Sequence, residues 1–233
     1  MEFLAMLDWS VVLQIILIDI LLGGDNAVII ALACRNLHPN QRRAGILWGT
    51  AGAIGLRIVL TIFAVTLLQI PYLKVVGALL LLWIGYKLLA DAGGHDENDL
   101  EAPDKLFAAV KTIIVADLVM SLDNVLAIAG AAGQVDDQAH QFGYIVFGLI
   151  VSVPIIIAGS RLVLFLIDRF PIIVTAGAGL LGWIAGGMLM TDPGMIKHFG
   201  EGIQDYGLIS GIIGALGVMI VGEIAKRKAN KAH

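Results

Sequence analysis

Asp19, Asp25 and Asn26 stand in the stretch D-I-L-L-G-G-D-N, and Asp117, Asp123 and Asn124 stand in D-L-V-M-S-L-D-N, 98 residues further on. Each octet reads Asp, five residues, Asp-Asn, and each runs into a small apolar tail, A-V-I-I-A or V-L-A-I-A. Carboxylates and amide carbonyls are hard oxygen donors that suit Mg2+, Ca2+ or Mn2+, whereas Zn2+, Cu+ and Ni2+ favour His, Cys or Met. Neither octet holds His or Cys, and Met120 is the one soft atom nearby. Both octets lie inside long apolar runs. A charged side chain at mid-bilayer costs roughly 3 kcal/mol or more, so intramembrane acids usually mark function.

Two arginines share these runs: Arg57 after G-A-I-G-L and Arg161 after I-I-A-G-S. The four aspartates with the two arginines leave a charge of −2, which one divalent cation or protonation of the carboxylates would neutralise. Exchange of metal for protons is therefore one expectation. Structural ion pairing of the aspartates with Arg57 and Arg161 is the other, and each arginine alone reads first as a tether. Asp19 and Asn26 are two helical turns apart and share a stripe, while Asp25 lies roughly 240° around a straight helix from Asp19. Gly23 and Gly24 can relieve this by kinking or unwinding the helix just before Asp25, which makes them candidate gating residues. The second copy has Ser121-Leu122 at that place, so the same break is signalled there less strongly.

The elements that carry these residues follow from composition. The chain is 58% hydrophobic and 15% charged with a mean hydropathy of +0.90. Soluble domains average about a quarter charged residues, so this chain reads as an α-helical membrane protein. Apolar runs of span length predict seven transmembrane helices at 10–33, 44–69, 72–90, 107–132, 142–166, 172–190 and 206–224. Pro71 and Pro171 suit the first turns of the third and sixth. The first residues carry Glu2 and Asp8 and no basic residue, unlike a secretory signal. Cys34 is the single cysteine, which excludes an intramolecular disulfide.

Pro71, Gly77 and Trp83 recur as Pro171, Gly177 and Trp183, displaced by 100 residues, and Arg161 echoes Arg57 at 104. Three spans is an odd number, so a second copy enters the membrane from the opposite side. This predicts two inverted three-helix repeats, 1–90 and 107–190, separated by an acidic cytoplasmic loop at 91–106 and followed by a loop, an accessory seventh helix and a basic tail at 191–233. Inverted repeats characterise many secondary transporters, whose site lies near the midplane between the repeats. With the N-terminus outside and the C-terminus cytoplasmic, eleven Lys and Arg flank the inner ends and two the outer ends, which fixes the expected orientation.

No nucleophile–base pair, cofactor motif or phosphate-binding loop is present, so neither an enzyme nor an ATP-driven pump is expected. No basic face suggests nucleic acid. Expected partners are membrane lipids, a divalent metal ion as substrate and protons as counter-ion. No cofactor is expected to be tightly bound, and a homo-oligomer is compatible with the sequence.

At L-L-G-G-D-N-A-V-I-I-A-L-A and V-M-S-L-D-N-V-L-A-I-A-G the chain resembles the paired signatures of the TerC family, and within it the short, YjbE-type bacterial members. The resemblance covers spans one to six. It implies membership of the LysE transporter superfamily and manganese efflux across the bacterial plasma membrane. It further implies an ion site of Asp19, Asp25, Asn26, Asp117, Asp123 and Asn124. Mn2+ over Ca2+ rests on the resemblance. A Ca2+/H+ exchanger, an exporter of organic solutes and a non-transporting subunit that delivers Mn2+ to partner enzymes are the rival readings.

Overall fold

The computed structural model describes residues 9–63, 67, 69–91, 102–132 and 138–231. Among these the regular elements are all helical: α1 (Trp9–Leu22), α2 (Gly24–Cys34), α3 (Pro39–Ile62), α4 (Leu73–Ala90), α5 (Ala102–Ala132), α6 (Gln138–Arg169), α7 (Ile172–Met190), α8 (Pro193–Phe199), a 3-10 helix (Glu201–Tyr206) and α9 (Gly207–Lys231). Most of the acidic loop expected at 91–106, residues 92–101, lies outside the described residues, and so do residues 1–8.

Five helical stretches are long and apolar enough to cross a membrane: Pro39–Ile62, Leu73–Ala90, Phe142–Arg169, Ile172–Met190 and Glu201–Lys228. A sixth is the bent pair of α1 and α2, whose axes differ by 48°. This is an all-helical, multi-pass membrane protein with five or six such helices, one or two fewer than the seven expected. Helix α5 carries the second octet and falls outside that set.

The helices sort their faces as a bilayer demands. Along α3 the buried residues Gly45, Ile46, Gly49, Thr50, Ala53, Ile54, Arg57, Leu60 and Thr61 recur every three or four positions. Leu47, Trp48, Val59 and Ile62 on the other side are exposed. Helix α3 begins at Pro39, five residues before the expected start, because a proline at the first turn loses no needed N–H. It ends at Ile62, where the Phe63 N–H turns back to the Leu60 carbonyl at 3.1 Å.

Packing places α3 against α5 and, reciprocally, α6 against α1 and α2, while α4, α7 and α9 pack on one another and join the rest through α5 and α2. Glycines set the close approaches. A Cβ on Gly49 would stand 2.5 Å from Ile113, and one on Gly148 would stand 2.6 Å from Ile15. Between α7 and α9 the backbones nearly touch, since a Cβ on Gly182 would lie 2.3 Å from the Gly214 carbonyl oxygen.

The stretch 191–205, read as a loop in the sequence, is ordered into α8 and the 3-10 helix. Asp192 organises it. Its fully buried carboxylate accepts hydrogen bonds from Gly194 N (2.7 Å) and Met195 N (3.1 Å) as an N-cap, with Pro193 following. The same carboxylate accepts from Tyr72 N (2.9 Å) and Lys74 N (3.1 Å), which ties the start of α4 to the end of α7.

Candidate functional site

The first octet spans the junction of α1 and α2. The Gly23 N–H still reaches the Asp19 carbonyl at 2.8 Å, but Asn26 N bonds to Gly23 O at 3.1 Å, a tighter turn than the α-helix makes. A Cβ on Gly23 would sit 2.4 Å from Asp19 O, so only glycine fits this turn. Gly24 meets nothing within 4 Å, and of the two gating candidates Gly23 is the one the geometry demands. The second octet lies within continuous helix, since α5 runs unbroken through Ser121 and Leu122.

The break and the packing bring four helices to one point. Arg57, on α3, is 1% exposed and heads the largest fully buried side chains. Its guanidinium donates through Nη1 to Asp19 Oδ1 on α1 and through Nη2 to Asp117 Oδ1 on α5. Its Nε donates to Ser121 Oγ at 2.9 Å, and that hydroxyl donates onward to Asp117 Oδ2 at 3.1 Å. From α6, Ser152 Oγ reaches the second oxygen of Asp19 while also lying 2.8 Å from the Leu149 carbonyl. Asp19, Asp117, Ser121 and Ser152 are all buried. Removing one partner of a buried ion pair typically costs about 3–5 kcal/mol, because the other charge is left alone. Two carboxylates against one guanidinium leave a formal charge of −1 even with every partner in place.

Four buried side-chain atoms on α2 and α3 make no hydrogen bond: Asp25 Oδ1, both amide atoms of Asn26, and Thr50 Oγ1. Buried polar groups are almost always satisfied, so unsatisfied ones call for a partner such as water or an ion. A cavity of about 10 Å³, room for roughly one water molecule, is lined by Asn26, Ile29, Ile30, Ala53, Ile113 and Asp117. Three of the four unpaired atoms are oxygens, apart from Asn26 Nδ2, and Asp117 borders the same cavity. The donor set is therefore hard and suits a cation such as Mn2+, Mg2+ or Ca2+. Among the described residues no three His, Cys, Asp or Glu side chains gather closely enough to hold a metal ion.

Of the residues singled out in the sequence, Asp19, Asp117 and Arg57 meet directly, and Asn26 borders the cavity with Asp117. Asp25 contributes an unpaired oxygen, and Asn124 is buried on α5. Asp123 has a described helical backbone only, and its side chain lies outside the described residues. Arg161 is elsewhere, exposed on α6. The echo at a displacement of 104 was misleading. The reciprocal contacts of Gly49 with Ile113 and Gly148 with Ile15 match α3 to α6 at a displacement of 99. In that register Arg57 corresponds to the buried Ile156, so the buried cation has no twin. Sequence reasoning gives no role to Ser121 and does not single out Ser152 or Thr50. Spacing carried a signal for two of them: Ser121 is one turn from Asp117, and Thr50 is two turns from Arg57.

The pattern of the Integral membrane protein TerC family matches residues 4–230. The chain is 44% identical over 186 residues to the Uncharacterized membrane protein YjbE of Bacillus subtilis (strain 168), covering 79% of this chain and 82% of that protein. It is 24% identical to the Uncharacterized membrane protein YceF of the same organism, over 76% of this chain and 70% of that one. It is also 24% identical to the UPF0053 inner membrane protein YgdQ of Escherichia coli (strain K12), over 70% and 73% of the two chains. No solved structure matches.

Proposed function

The chain belongs to the TerC family of integral membrane proteins, and from that premise we propose that it is a secondary transporter that exports a divalent cation, Mn2+ first among them, across the bacterial plasma membrane. The observation that carries this reading is that Asp25, Asn26 and Thr50 each bury an unpaired oxygen, and that Asn26 lines a small cavity together with Asp117. Hard oxygen donors at membrane depth, in an environment still one charge negative, favour a cation over an anionic or zwitterionic solute. The choice of Mn2+ within the hard cations rests on the family resemblance. The plasma membrane is supported by the inner-membrane relative in Escherichia coli.

In this reading α5 is a further span. Its 31 residues reach about 46 Å at 1.5 Å per residue, and it packs against α1, α2, α3 and α4 at the centre of the bundle. Counting it and the bent α1–α2 pair gives seven spans. The reciprocal packing of α3 on α5 and of α6 on α1 and α2, with α4 against α7, supports two inverted repeats related by a pseudo-two-fold axis. An N-terminus outside and a C-terminus in the cytoplasm is supported by the distribution of Lys and Arg in the flanks. Export of a divalent ion against an inside-negative potential of 100 mV costs about 4.6 kcal/mol, and inward proton flow is the driving force that offsets it.

The test is Mn2+ flux in proteoliposomes holding a pH dye, with Asp25→Asn as control. Flux that depends on Asp25 with protons moving oppositely is the expected result. Tight Mn2+ binding without flux would replace export by delivery of metal to partner enzymes, and Ca2+ outcompeting Mn2+ would change the substrate.

A further inference from the structure

The cavity and the unpaired oxygens belong to the ion site already described, but Arg57 poses a separate question. A guanidinium already occupies the two carboxylates best placed to take a cation. It satisfies one oxygen of Asp19 and one of Asp117 and, through Ser121, touches the second oxygen of Asp117. Its planar fork and permanent charge make it a strong ligand for such a pair. Yet it brings one positive charge to two negative ones, and nothing from α6 at the matching position, Ile156, supplies another. The site thus keeps a deficit of one unit, which an ion of charge +2 in place of the guanidinium removes.

We infer that Arg57 is a tethered competitor for the transported ion: guanidinium and metal hold the Asp19–Asp117 pair in alternation, and the contest sets a charge threshold that divalent ions pass and monovalent ions do not. This rests on the transporter reading above. A monovalent cation that displaced Arg57 would exchange one charge for another and forfeit the bidentate geometry and the Ser121 bond. A divalent ion gains a full extra unit of charge at the same carboxylates, where Coulomb energies are larger than in water. The tether is also placed to move. Arg57 lies in the last turns of α3, and the Thr61 hydroxyl bonds back to the Arg57 carbonyl at 2.8 Å, an arrangement that loosens and bends helices. Asymmetry between the repeats adds to the argument. Symmetry alone would place a second cation at Ile156, so a single arginine is a feature of the site's chemistry and not of its duplication.

Competition has a measurable signature. Apparent affinity is the intrinsic affinity reduced by the fraction of molecules whose site is open, so an arginine that holds the pair in about nine molecules of ten weakens metal binding roughly tenfold. The experiment is calorimetric titration of the full chain in lipid nanodiscs with MnCl2, comparing wild type, Arg57→Lys and Arg57→Gln. Folding is monitored by size exclusion and thermal melting. Arg57→Lys keeps the charge and serves if Arg57→Gln does not fold. We expect Mn2+ to bind at least about tenfold more tightly to Arg57→Gln, with Arg57→Lys in between. NaCl, against choline chloride at equal ionic strength, competes with Mn2+ in Arg57→Gln and not in wild type. A folded variant that binds Mn2+ no more tightly than wild type overturns the competition and leaves the transporter reading standing. Tighter binding without a Na+ effect overturns the charge threshold. Wild-type protein that neither binds nor transports Mn2+ overturns both readings at once.

Discussion

The two octets have the same pattern and different backbones. In the first, Gly23 breaks the helix, so Asp19 closes one segment while Asp25 and Asn26 open the next with polar atoms left unpaired. In the second, helix α5 continues, and Ser121, at the position equivalent to Gly23, uses its hydroxyl to join Arg57 to Asp117. Both octets hold Arg57, through Asp19 and Asp117, and the break in the first sets Asp25 and Asn26 at the start of a new helix. The residue that differs at the point where the two backbones part is Gly23 in the first octet and Ser121 in the second.

That difference can be tested from either side. The largest effect is expected from Asp25→Asn and Asp123→Asn, each of which should abolish Mn2+ flux in proteoliposomes while the protein still elutes as a folded species. Normal flux in either would remove that residue from the site. Next comes Gly23→Ser, which makes the first copy resemble the second. With the Asp19 carbonyl 2.4 Å from the new Cβ, the turn must open at a cost of about 1–3 kcal/mol, read as a lower melting temperature together with reduced flux. A Gly23→Ser protein as stable and active as wild type would show that the break is incidental. Ser121→Ala removes the stitch in the second copy and should cost about 1.5–3 kcal/mol, the range for hydrogen bonds to charged groups, checked by thermal melting. The smallest change is expected at Gly24→Ala. A Cβ there meets nothing, and alanine in a helix gains at most about 1 kcal/mol over glycine. Flux should be unchanged, and a large loss would move the hinge from Gly23 to the pair.

Much of the fold was legible because membrane helices declare themselves locally. A run of apolar residues must satisfy its own backbone, so the apolar runs are found as helix, the second as far as Ile62, and the kink before Asp25 followed from two glycines set against a helical period. Asx and proline signals at Asp192-Pro193 announced α8, but a 15-residue connection among long apolar runs hid them. The octets and Arg57 were visible as polar residues where lipid tolerates none. The failure at Arg161 has a different cause. Repeat displacement read from scattered identities drifts by several residues, and one turn of helix decides whether an arginine faces the core or the lipid.

What the sequence determined on its own was therefore chemistry and segment: helical spans, their breaks, and which side chains are too polar to face lipid. Which of those side chains meet was decided only in three dimensions. Arg57 touches Asp19 and Asp117 because glycines 49 and 148 let α3 and α6 close on α5 and α1 at matching depths. Such depths are set by side-chain volumes across helix interfaces, a property of pairs of segments that no single segment encodes.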